Sequence, residues 1–349
     1  MEKTDIKSLD YQELQNAMTS LGEKTFRGKQ IYEWLHKKAA MNFDEMSNLS
    51  KDLRKKLEEH FYISETTVLE QLVSKDGNTT KFLFGLKDAR VIESVLMKYK
   101  HGNSVCISSQ VGCRMGCNFC ASTLGGLERN LEVSEMLGQI YAIQKITGER
   151  VSNVVIMGTG EPLDNYDNFV KFVRMLTDEN GYNISQRNIT VSTCGLVDNI
   201  RKLAEEKFQI TLAISLHASN DQVRKTLMPV ANKYTISDVL SACDYYYEQT
   251  GRRISFEYSL VKGVNDSEEY AKELAGLLKG RNCHVNLIPV NPIKERDYRD
   301  TEASFVQKFK MTLEKLRINV TIRREMGRDI DAACGQLRKS YMDQRGGNK

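Results

Sequence analysis

The chain has 349 residues, of which 40% are hydrophobic and 28% charged, with a formal net charge of +4. That length suits one large domain, alone or with a smaller one, and the formal charge is a weak nucleic-acid signal, its excess lying mostly at the C-terminal end. No apolar run approaches the roughly 20 residues of a membrane span and the start, MEKTDIKSLDYQ, lacks a signal-peptide core, so a cytoplasmic protein with no membrane partner is expected.

Residues 8–60 carry apolar residues at helical spacing in FRGKQIYEWLHKKA and LSKDLRKKLEEHF. From Thr66 to Ser109 the pattern shifts to short apolar runs, VLEQLVS, TKFLFGL and ESVLMKY, separated by KDGN and KDAR, which predicts a small β meander. Beyond it strands and helices alternate. Candidate strands fall at 105–109, 153–157, 189–192, 211–216, 254–260 and 284–289, with helical patterns between them. Gly251 and Gly280 stand as C-caps. Six βα units imply a parallel sheet and are too few for an eight-stranded barrel. The expected fold is therefore α/β, a partial (βα)6 barrel with a small N-terminal helical plus β accessory domain. The expected division is 1–100, 101–340 and a flexible tail at 341–349. A further strand is possible over 318–323.

Eight cysteines in a reducing context point to metal binding or catalysis rather than disulfides. Three of them form Cys113-Arg-Met-Gly-Cys117-Asn-Phe-Cys120, directly after the first candidate barrel strand. Three thiolates at this spacing can hold three irons of a [4Fe–4S] cluster and leave the fourth iron open to a substrate. A three-cysteine zinc site completed by His101 or His217 is the competing reading. The second candidate strand ends in Met157-Gly-Thr-Gly-Glu161-Pro162, where two glycines admit a close ligand and Glu161 offers a carboxylate to an ammonium group. A plain βα turn would look the same.

The cysteine pattern followed by GTGEP resembles the radical SAM superfamily. FRGKQIYEWL, CISSQVGCRMGCNFCAS, MGTGEPLDN, STCG, SLHA, LMPV, KGVND, NLIPVNP and RDIDAACGQL together resemble the RlmN/Cfr family of RNA adenosine methyltransferases, across residues 26 to 337. GEPL and LIPVNP are closer to the RlmN branch, which methylates adenine C2 in the peptidyl-transferase region of 23S rRNA and the adenosine 3′ to the anticodon of some tRNAs. The Cfr branch methylates C8 and confers antibiotic resistance.

The resemblance implies one [4Fe–4S] cluster on Cys113, Cys117 and Cys120, with its open iron binding the amino and carboxylate groups of S-adenosylmethionine (SAM). Gly160 and Glu161 would hold the ammonium end, and Ser192, Ser215, Leu216, His217 and Asn291 the rest of the cofactor. It also implies that Cys334 carries a methyl group taken from one SAM. A second SAM yields the radical that joins this carbon to adenine. Loss of the ring proton, aided by Cys106 or Glu93, and attack by Cys106 on the Cys334 sulfur would release the product and leave a Cys106–Cys334 disulfide.

Read without the resemblance, Cys106 and Cys334 are buried small hydrophobes and Glu93 is an exposed strand carboxylate. Ser192 and Ser215 are strand-end hydroxyls, His217 a core histidine and Asn291 a turn residue. Cys194, Cys243 and Cys283 match no motif and are expected to be structural. The implied partners are 23S rRNA, tRNA and an electron donor such as flavodoxin or ferredoxin, with the chain a monomer. The expected RNA surfaces are the N-terminal helices and the basic end around Arg323, Arg324, Arg328, Arg338 and Lys339. A non-catalytic, zinc-containing RNA-binding protein is the alternative from another class.

Overall fold

The computed structural model describes residues 3–100, 102–293, 295–324, 326–333 and 335–336. Near the N-terminus, β1 (Thr4–Asp5) pairs in parallel with β2 (Phe61–Tyr62). Between them lie α1 (Tyr11–Ser20), α2 (Phe26–His36) and α3 (Lys51–His60). Asp10 and Glu13 form a reciprocal capping box on α1, and Ser50 caps α3. The apolar spacing then buries Leu14 and Met18, Ile31 and Leu35, and Leu53 and Leu57.

The meander follows as β3 (Thr67–Val73), β4 (Thr79–Gly85), β5 (Val91–Tyr99) and β6 (Gly102–Ile107), each antiparallel to the one before. Strand β6 also begins the parallel half of the sheet. After a hairpin of β7 (Gln110–Gly112) and β8 (Leu127–Asn130), the chain alternates through α4 (Val133–Thr147), β9 (Val151–Ile156), α5 (Tyr166–Thr177), β10 (Ile189–Thr193), α6 (Val197–Glu205) and β11 (Thr211–Ser215). It continues through α7 (Asp221–Leu227), α8 (Ile236–Thr250), β12 (Ile254–Leu260), α9 (Glu268–Leu278), β13 (Cys283–Pro289), α10 (Ala303–Lys315) and β14 (Val320–Ile322).

One ten-stranded sheet results, ordered β14-β13-β12-β11-β10-β9-β6-β5-β4-β3. The six expected barrel strands are β6 and β9 to β13, all parallel to their neighbours in that run, and β14 adds a seventh. The sheet ends on β14 at one side and β3 at the other, so the barrel is open. The meander is hydrogen-bonded into this same sheet rather than set apart from it. The N-terminal helices dock on α4 and α5. His36 Nδ1 lies 2.9 Å from the Tyr141 hydroxyl, and Lys171 donates to Glu13 at 2.6 Å. The segment 341–349, expected as a tail, lies outside the described residues.

Candidate active site

The cysteine motif occupies the loop of the β7–β8 hairpin, which projects from the C-terminal end of β6. Gly112 and Gly126 close the hairpin with φ of 74° and 67°, and the Cys113 amide donates to Gly126 O at 2.9 Å. A side chain at Gly112 would run into the Gly126 carbonyl, so this closure needs glycine. Within the loop the Cys120 amide donates to Cys117 O at 3.1 Å, and Thr123 Oγ1 donates to Cys120 O at 2.9 Å. Two bonds fix the loop to the end of α7: Asn118 N–H to Leu227 O at 2.9 Å and Asn118 Nδ2 to Thr226 O at 2.7 Å. A third contact reaches the C-terminal segment, Ala121 N–H to Gly335 O at 2.8 Å.

Cys113, Cys117 and Cys120 all line a cavity of about 150 Å³ at the C-terminal edge of the parallel strands, where open α/β sheets bind ligands. Gly160, Glu161, Ser192, Ser215, His217 and Asn291 line it too. Leu216 does not; it is wholly buried beneath it, and its amide donates to Glu257 O. Ser192 Oγ and Ser215 Oγ lie 3.3 Å apart on adjacent strands. His217 has a positive φ of 56°. Its Nδ1 accepts the Ser259 amide at 2.9 Å, which leaves the proton on Nε2, and its ring meets Phe119 edge-on at 4.8 Å. It is thus a satisfied buried histidine and a cavity wall at once.

Burial sets the electrostatics. It pushes the Cys113 thiol up to about 12 and the Cys117 thiol well above its ordinary value. Thiols so placed give up their protons only to a bound cation. Among the described residues, no group of three His, Cys, Asp or Glu side chains gathers as a site for one metal ion requires. A cluster does not ask for that, since each thiolate meets a different iron. The donor set, three thiols lining one cavity, fits a cluster. Burial also raises the Glu161 carboxyl, with hydrogen bonds from Cys194 and Leu163 opposing it, and lowers His217 to about 3.

A second cavity adjoins the first, sharing Ile288, Asn291 and Arg323 with it. Cys106, Val95 and Tyr99 line it, as do Ala332 and Ala333. Cys334 itself lies outside the described residues, as do His101, Arg338 and Lys339. Its described neighbour Gly335 lines the first cavity. Glu93 lines neither. It is not the exposed carboxylate that a plain strand pattern suggests, but a buried one paired with the buried Lys81 at 3.4 Å. Lys81 also donates to Asp331 O at 3.2 Å.

The basic C-terminal end is not a uniform solvated surface either. Arg323 lines both cavities, 3.8 Å from the buried carboxylate of Glu257 and 3.9 Å from Met157 Sδ. Arg328 pairs with Asp300 at 3.0 Å. Cys194, expected to be structural, lines the first cavity, whereas Cys243 and Cys283 are buried away from both. Sequence reasoning missed Arg323, Glu257 and Ser259 as cavity residues. The one signal for Glu257 is a charge inside the apolar strand ISFEYSL.

Residues 107–275 match the model of the Radical SAM superfamily, and the open parallel sheet with its cysteine hairpin defines a radical SAM enzyme. Such enzymes work with SAM and a [4Fe–4S] cluster. Residues 4–63 match the ribosomal RNA large subunit methyltransferase N-terminal domain. A protein of Lachnoclostridium phytofermentans described as "probable dual-specificity RNA methyltransferase RlmN" is 67% identical, over 98% of this chain and 96% of its own. Its counterpart in Lachnospira eligens is 66% identical over 97% of each. The crystal structure of a radical SAM methyltransferase from Sphaerobacter thermophilus superposes with a TM-score of 0.92 at 42% identity, covering 96% of this chain and 99% of that one. The chain belongs to the RlmN family of dual-specificity RNA methyltransferases. Among the described residues no helix is long and apolar enough to cross a membrane.

Proposed function

We propose that this enzyme methylates C2 of an adenosine in the peptidyl-transferase region of 23S rRNA, and of the adenosine 3′ to the anticodon in some tRNAs. The observation that carries this reading is the similarity to RlmN relatives over nearly the full length, joined to two adjoining cavities, one lined by the cysteine hairpin and one by Cys106. When bound, one cluster and SAM supply the one-electron chemistry by which a carbon radical can add to an electron-poor ring carbon.

Cys113, Cys117 and Cys120 hold the cluster. Gly160 and Glu161 take the ammonium end of SAM, and Ser192, Ser215, His217 and Asn291 line its remaining length, with the Leu216 main chain between Ser215 and His217. The Cys334 thiolate takes the methyl group of one SAM, with S-adenosylhomocysteine as the leaving group, and a second SAM is consumed in each turnover. The Cys334 methyl gives up one hydrogen atom to the radical drawn from the second SAM, its carbon then bonds to adenine C2, and Cys106 or Glu93 takes the ring proton as the surplus electron is given up. The Cys106 thiolate then attacks the Cys334 sulfur. Methylated RNA leaves, a Cys106–Cys334 disulfide forms, and external thiols restore both cysteines.

The target adenine must leave its stack to reach the cavities. We assign RNA contact to residues 1–100 and chemistry to 101–340. A flavodoxin or ferredoxin as electron donor, a monomeric state and a cytoplasmic location complete the reading. It is tested by incubating the anaerobic enzyme with SAM, reductant and an unmodified 23S rRNA fragment or tRNA, then digesting the RNA. The expected nucleoside is 2-methyladenosine. 8-Methyladenosine alone would overturn the assignment of the carbon.

A further inference from the structure

Arg224 lies on α7 and is 0% exposed. Its guanidinium donates to three main-chain carbonyls on three segments: Cys194 O at 2.7 Å, Leu216 O at 3.2 Å and Tyr234 O at 3.3 Å. None of these partners is a carboxylate. Three carbonyl dipoles satisfy the donors; among the described residues the guanidinium forms no salt bridge, and the Asp221, Cys194 and Cys117 charges act on it only through space, so the buried cation is costly. The space for it is kept by Gly195, whose φ is 99° and where a side chain would stand 3.2 Å from Arg224 Nη2.

The surroundings point to where a further negative charge would be answered. The same short helix ends on Thr226 and Leu227, whose carbonyls hold Asn118 in the cysteine loop. Cys117 packs against the apolar cluster formed by Cys194, Leu227 and Met228. Arg224 thus grips the ends of β10 and β11 behind the cavity wall while its own helix grips the cluster loop.

We propose that Arg224 is the built-in counter-charge of the iron–sulfur cluster, a positioning residue that favours the cluster's reduced state. This rests on the cluster reading above. A cubane with two positive charges and three thiolates carries one net negative charge. Reduction adds one electron, taken from a low-potential one-electron donor, and no proton, so the net charge becomes minus two. A fixed cation favours the more negative form and raises the potential.

The test uses the anaerobic full-length protein as wild type, Arg224→Met and Arg224→Lys, with iron and sulfide content and a dithionite titration followed by electron paramagnetic resonance. Lysine keeps the charge and loses the fork of donors, and beside an anionic cluster it keeps its proton. Arg224→Met should lower electron affinity about tenfold, a shift of about 59 mV to more negative potential for one electron, or lose its cluster outright. Arg224→Lys should stay near the wild type. If lysine fares no better than methionine, in potential or in cluster content, Arg224 only knits the loops and the proposal falls. It falls too if the Met potential does not move. A wild type with zinc and no iron would instead sink the cluster reading beneath it.

Discussion

Glu161 and Cys194 are joined across 33 residues: the Cys194 amide donates to Glu161 Oε2 at 2.8 Å, while Glu161 Oε1 accepts the Leu163 amide at 3.0 Å. The carboxylate offered to a ligand by the GTGEP turn is therefore also a clamp between two strand ends. Glutamine can accept only one of these amides and turns an NH2 toward the other. Glu161→Gln should cost about 1–3 kcal/mol of stability and weaken SAM binding together, read by thermal unfolding and by equilibrium binding. Unchanged unfolding would show that the clamp contributes nothing.

The hairpin cysteines carry the cluster reading. Anaerobic protein should be brown and hold about four irons and four sulfides, and alanine at Cys113, Cys117 or Cys120 should abolish colour and SAM cleavage. Because burial pushes the Cys113 thiol up to about 12, chelator-stripped protein should react slowly with iodoacetamide at that residue near pH 8, where an ordinary thiol is partly ionised. Rapid alkylation of Cys113 would contradict the buried, protonated state.

In the proposed mechanism Cys106 and Cys334 act at different steps, so their variants should differ. Cys106→Ala should accumulate protein joined to RNA through a methylene bridge that survives denaturation and reductant, whereas Cys334→Ala should give no adduct. A denaturing gel with nuclease treatment and peptide mass spectrometry reads this. Normal turnover by Cys106→Ala would reduce Cys106 to a buried strand residue.

Two glycines make a matched pair. A side chain at Gly158 would stand 2.7 Å from Ile107 O, main chain against main chain, while one at Gly148 meets nothing within 4 Å. Gly158→Ala should push β6 and β9 apart beside the site and cost roughly 2–4 kcal/mol. Gly148→Ala faces only its left-handed φ of 68° and should cost about 1–2 kcal/mol. Equal melting temperatures for the two variants would refute the close approach.

His36 gives a pH signature remote from the cysteines. Burial, with the Lys7 charge adding to it, lowers its pKa to about 3. The unfolded chain binds that proton near pH 6.5, and the folded one does not until about 3. Stability is therefore flat above the unfolded value and falls as pH drops through the interval, by up to about 1.4 kcal/mol per pH unit. His36→Gln should remove one proton's worth of this slope in denaturant titrations between pH 6 and 4. Identical slopes would show that His36 ionises in place.

The six barrel strands were legible because fully buried parallel strands are apolar runs, and the helices between them because their periodicity is long. The seven-residue α7 is too short to show one. The cysteine loop declared itself by spacing, but its seat in a β7–β8 hairpin did not, since three-residue strands carry no pattern. Buried charges were the real blind spot. Glu93, Lys81, Arg224 and Glu257 are letters that usually mean surface, and only the pairing of distant segments shows where each charge is answered.

The ladder from Val95–Cys106 to Tyr99–Gly102 runs without a break from the meander into the parallel strands. On the function proposed above, the target adenosine is therefore offered unstacked to a site whose frame is one hydrogen-bonded sheet shared with the meander.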